Sequence, residues 1–108
     1  MSVDTTQATA SNRVKMYVNG EQITSFTNAS YPSQNTDFNI STSSYAMRLG
    51  AESDASAITN FLDGYLAEVN FIDGQALDPT SFGETKSGVW IPKRYGGTYG
   101  TNGFRLSF

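Results

Sequence analysis

The chain has 108 residues, room for one domain, and carries a net charge of −3 with neither cysteine nor histidine. Disulfides, thiolate metal sites and the commonest general base are therefore absent, and no basic stripe exists to neutralise phosphates, so nucleic-acid binding is not expected. Hydrophobic residues make up 38% and aromatics 13%, a balance that suits strands around a core that is thin or completed by another subunit.

Met1-Ser2-Val3-Asp4 does not read as a secretory leader, and no apolar run approaches the length needed to cross a bilayer. Residues 1–12 are small and polar and read as a loop or weak edge segment. Arg13 to Val18 alternates strictly, with Val14, Met16 and Val18 on the face expected to be buried. Asn19-Gly20 then supplies the two left-handed positions of a tight hairpin turn. Glu21 to Phe26 should return as the second strand, with Ile23 facing the core.

Residues 27–44 are polar and irregular, with Pro32 opposing a central strand and Phe38 and Ile40 fit for a short edge strand. Tyr45 to Gly50 alternates again, and 51–57 is a small acidic loop. The longest expected strand is 61–72, with Gly64 marking a bulge. Asp73-Gly74 turns the chain. Asp78 and Pro79 start a one-turn helix that Gly83 should end. Val89-Trp90-Ile91 forms a strand stopped by Pro92, residues 93–102 a glycine- and tyrosine-rich loop, and Phe104, Leu106 and Phe108 alternate in a last strand. The fold class expected is all-β, an antiparallel β-sandwich.

Two segments carry a resemblance. Val14–Gly20 resembles the hairpin of laminin-G-like, concanavalin A-like jelly rolls, and Phe61-Leu-Asp-Gly-Tyr-Leu-Ala-Glu-Val-Asn-Phe71 resembles a later strand of the same family. The whole chain is similar to a subgroup from marine bacteriophages. There Asp4-Thr-Thr-Gln-Ala-Thr9, Tyr65-Leu-Ala-Glu-Val-Asn-Phe-Ile-Asp-Gly-Gln75 and Gly96-Gly-Thr-Tyr-Gly-Thr-Asn-Gly-Phe104 recur in tail-fibre or virion-surface proteins. The resemblance implies a single jelly-roll domain over 1–108 that corresponds to the C-terminal part of the family's domain. Family members place further strands before the segment that Asp4 opens here, so another chain is expected to complete the sandwich. It also implies a virion location, with other virion proteins or copies of the chain as partners.

The function expected on these grounds is non-enzymatic: adhesion to host-surface glycans from a tail fibre or capsid decoration. The alternative is a structural cement or assembly subunit that binds no sugar. Trp90, Tyr95, Tyr99 and Asn102 are the candidate ligand-binding residues, because sugar rings stack on aromatic faces while amides hold hydroxyls. The competing reading puts Trp90 in the core and the tyrosines against a neighbouring subunit. The resemblance further implies a rim calcium ion, for which Glu52, Asp54 and Asp63 are the candidate oxygen ligands; the plainer reading of 51–57 is a solvated loop. Asp63 and Glu68 fall on opposite faces of an unbroken strand, which does not suit a paired-carboxylate hydrolase unless a bulge at Gly64 realigns them; a glycoside hydrolase fragment is the third reading.

Overall fold

A computed structural model describes residues 1–38, 47–53 and 57–108. The fold is all-β, with antiparallel ladders and two single 3₁₀ turns as the only helix among the described residues. The chain divides into two compact units, Met1–Thr36 with Ala67–Phe108, and Asp37–Leu66.

In the first unit, β1 (Ser2–Val3), β2 (Val14–Val18) and β3 (Glu21–Ile23) form a three-stranded sheet with β2 central. Met16 pairs with Ile23 and Val18 with Glu21. Asn19 (φ 51°) and Gly20 (φ 84°) close the hairpin with the positive φ pair of a type I′ turn. Strand β3 ends at Ile23, short of the expected Phe26, because only three of its residues find partners on β2. The segment before β2 is stitched by Arg13, whose guanidinium donates to the carbonyls of Gln7, Ala8 and Pro32, each at 2.8 Å. A 3₁₀ turn at Ala10–Asn12, not foreseen, lies within that segment.

β6 (Val69–Phe71) pairs with β9 (Phe104–Leu106), and β7 (Gly83–Lys86) with β8 (Val89–Pro92). The two faces of the β6–β9 ladder differ. Val69, Leu106 and the stacked rings of Phe71 and Phe104 (centroids 5.6 Å apart) form the apolar one. Arg105 grips Glu68 on the other, Nε to Oε2 at 2.8 Å and Nη2 to Oε1 at 2.6 Å. The expected one-turn helix is present as a 3₁₀ turn at Pro79–Ser81, with Asp78 Oδ1 accepting from the Thr80 N–H at 2.8 Å. Strand β7 was not foreseen; Ser87 (φ 49°) and Gly88 (φ 78°) turn it into β8 with the same φ signature as the first hairpin.

The second unit holds β4 (Glu52–Ser53) paired with β5 (Ile58–Thr59). The Leu62 N–H donates to the Gly50 carbonyl at 2.7 Å. Phe61 and Tyr65 are largely exposed.

Three expectations are corrected. The strand expected over 61–72 is confined to Val69–Phe71: residues 61–67 join no ladder, and Glu68 adopts φ 54°, which breaks the extended run. The described part of Tyr45–Gly50, from Met47 on, is not strand; Tyr45 and Ile40 lie outside the described residues. On β2, Met16 is 45% and Val18 57% exposed, while Tyr17 on the opposite face is half-buried. The apolar face written in the sequence is thus open at its Met16–Val18 end, while Val14 is half-buried like Tyr17. Among the described residues only Gly83 and Tyr95 are buried.

Candidate functional site

Trp90 organises the first unit. A β-carbon on Gly20 would fall 2.6 Å from Trp90 Cε3, and one on Gly83 would fall 2.5 Å from Cε2. The indole therefore sits where two glycines leave space, one at the β2–β3 turn and one diagonally across its own hairpin. Only residues without a side chain permit that approach. The half-buried Trp90 forms one wall of an open groove of about 180 Å³, together with Tyr17, Phe82, Asn19 and Asp78. Its lining mixes aromatic rings with an amide and a carboxylate. The Thr80 hydroxyl and main-chain N–H hold the Asp78 carboxyl below the usual carboxylate range.

The aromatic loop is built differently from the expectation. Tyr95 is 8% exposed, the most enclosed large side chain described. Its ring packs on Phe82 (5.2 Å) and edge-on to Tyr99 (5.3 Å), and its hydroxyl donates to the Thr98 carbonyl at 3.2 Å. A ring so enclosed cannot serve as a stacking platform for a sugar, so Tyr95 is corrected from ligand contact to core. Tyr99 is half-buried, and its hydroxyl reaches Asn70 Oδ1 at 3.4 Å. Asn102 is exposed, but its N–H and Nδ2 both donate to Asp73 Oδ2, at 3.2 and 2.9 Å. The loop is further fastened by Asp73 N–H to the Tyr99 carbonyl at 2.8 Å and by Gln75 Nε2 to the Thr98 carbonyl at 3.1 Å.

The glycines of this loop serve close packing. A β-carbon on Gly100 would meet the Asp73 carbonyl oxygen, and one on Gly103 those of Tyr99 and Phe71. Trp90, Tyr95, Tyr99 and Asn102 thus belong to one unit but present no common surface: Trp90 faces the groove, and the other three secure the loop.

Of the candidate calcium ligands, Asp54 lies outside the described residues. Glu52 Oε2 accepts from Asn60 Nδ2, and Asp63 is exposed. Among the described residues no three acidic side chains come together to hold a cation. Glu68 is committed to Arg105, and that hydrogen-bonded guanidinium keeps its carboxyl below the usual range, a poor state for a general acid.

The sequence reading missed Tyr17, Asn19 and Asp78 as groove residues and Asp73 and Gln75 as loop anchors. The available signal was the pairing of one tryptophan with glycines on neighbouring hairpins. Comparison with known proteins gives no matching family model, no matching characterised protein and no matching solved structure.

Proposed function

We propose that the chain is a non-enzymatic structural module of a phage virion surface, whose open apolar sheet face is covered by another polypeptide. The observation that carries this reading is the face formed by Val3, Val14, Met16, Val18 and Ile23. On it Val3, Val14 and Ile23 are partly covered, while Met16 and Val18, at the end of the cleanest alternation in the sequence, are about half exposed. An apolar sheet face left to water forfeits about 25 cal/mol per Å² of burial, and a second β-layer packed about 10 Å away recovers it. The jelly-roll arrangement and the virion setting are part of the proposal and rest on the three motifs quoted above. The covering chain is a second copy or a neighbouring virion protein.

Light scattering on the purified chain separates these partners. A concentration-dependent dimer that Met16→Asp with Val18→Asp dissolves identifies a second copy. A monomer that binds a hydrophobic dye and is taken up by assembled particles identifies a neighbour. A monomer that binds no dye and melts sharply in dilute solution overturns the reading.

Recognition of host-surface glycans is the second reading, and one observation favours it: the mixed groove beside Trp90. In that form the contacts shift from Tyr95, Tyr99 and Asn102 to Trp90, Tyr17 and Asp78. Glycan-array binding that Tyr17→Ala abolishes supports it; binding that survives Tyr17→Ala but fails with Tyr99→Ala returns the site to the loop.

A further inference from the structure

The chain contains two Asn-Gly pairs, Asn19-Gly20 and Asn102-Gly103. Such a pair is chemically vulnerable, since a following glycine offers no side chain to hinder attack by its amide nitrogen on the asparagine Cγ. We propose that Asn19 is a site of spontaneous deamidation and isoaspartate formation, while Asp73 holds Asn102, with the same neighbour, unreactive.

The step balances with water alone. The Gly20 nitrogen forms a bond to Asn19 Cγ, the Cγ–Nδ2 bond breaks, and ammonia leaves carrying the proton from the Gly20 amide. Water then opens the five-membered imide at either carbonyl. One opening leaves aspartate; the other routes the main chain through the side-chain carboxyl as isoaspartate.

The two sites differ in what must open first. Asn19 is exposed, and no hydrogen bond to its side chain is found among the described residues. It sits in a two-residue turn beside β3, a three-residue edge strand, and short edge hairpins open at low cost. Asn102 donates twice to Asp73 Oδ2, once through the Nδ2 that must depart. Both following glycines are closely packed, Gly20 against the Trp90 ring and Gly103 against the carbonyls of Tyr99 and Phe71, so the difference between the sites rests on the hydrogen bonds to Asp73. The Asp73 carboxylate also opposes the negative charge that ring closure builds on the attacking nitrogen and on the carbonyl oxygen.

Reaction at Asn19 has a consequence beyond one added negative charge. The isoaspartate inserts a carbon into the main chain next to Gly20, where Trp90 leaves no clearance. The turn must lift from the indole, and the groove wall moves with it. Trp90 is the sole tryptophan, so its fluorescence reports the event without a label.

The test is timed incubation of the whole chain in mildly alkaline buffer, with peptide mapping by mass spectrometry and isoaspartate methyltransferase labelling. A gain of about one dalton at Asn19, at least about tenfold faster than at Asn102, is expected, with a matching change in Trp90 emission. In urea both asparagines should react at similar rates, and Asp73→Ala should speed Asn102 in the folded chain. Equal native rates, or a native Asn19 as inert as Asn102, overturn the proposal. An Asn102 that stays slow in urea overturns the role of Asp73. Should Asp73→Ala prove unfolded, the urea comparison of the parent chain decides alone.

Discussion

The six-membered ring of Trp90 occupies the space that a side chain on Gly20 would need, with Cε3 and Cζ3 each 2.6 Å from the ideal β-carbon position. Gly20 also holds φ 84°. Gly20→Ala therefore combines a steric clash with an unfavourable backbone, and should cost about 2–4 kcal/mol. Gly88 shares the positive φ, yet no atom lies within 4 Å of its would-be β-carbon, so Gly88→Ala should cost only about 1–2 kcal/mol. Urea unfolding followed by tryptophan fluorescence gives both values. Equal losses would show that Trp90 does not seat against Gly20.

Acidification should destabilise the fold through three carboxylates. Asp4 is held low by the Thr6 hydroxyl and Gln7, Glu68 by Arg105, and Asp78 by the Thr80 hydroxyl. Each folded value lies below the unfolded one, so the unfolded chain takes up protons first as pH falls. The stabilisation is complete above the ordinary carboxylate range and fades from roughly pH 4.5 downward. Urea midpoints should be flat from neutral to mildly acidic pH and then drop. Glu68→Gln should lower the neutral midpoint and make the acid slope shallower; an unchanged slope would remove Glu68 from the account.

Arg13 donates to three main-chain carbonyls and, among the described residues, to no carboxylate. The planar guanidinium suits three acceptors in fixed directions, and a lysine ammonium does not. Arg13→Lys keeps the charge and should still cost about 1–3 kcal/mol, with faster hydrogen exchange at the amides of Asp4 and Asn35. Unaltered exchange there would mean that charge alone sufficed.

On the apolar face of the β6–β9 ladder, Phe71 and Phe104 stack at 5.6 Å with 19° between their planes. Phe104→Leu retains most of the apolar area and loses the ring pairing, a loss of about 0.5–1.5 kcal/mol. A double-mutant cycle with Phe71→Leu should recover that amount as coupling energy. Zero coupling would show that the rings are adjacent without interacting.

The tight turns were legible because their chemistry is local: Asn19-Gly20 and Asp78-Pro79 name their backbone geometry outright. The alternation of β2 and β9 was legible for the same reason, although β9 ends at Leu106 and Phe108, expected to continue it, adopts φ 48° outside the strand. The orientation of β2 was not, since alternation marks two faces without saying which is covered, and here Tyr17 lines the groove that Trp90 also lines while Met16 and Val18 are exposed. The long strand over 61–72 failed because a period of two cannot reveal a left-handed residue at Glu68 or the shortness of its partner, β9. The loop from Tyr95 to Asn102 looked like a ligand surface by composition. Its contacts to Asp73 and Gln75 are long-range, and composition alone does not show them.

The Ser87–Gly88 turn that closes β7 and β8 has open space around Gly88. Its neighbours, Lys86 and Val89, are both exposed. That makes this tip the natural place to splice a short peptide tag or attach a fluorophore. The loop near Gly100 has no such open space, because even a β-carbon there would collide with the main chain at Asp73.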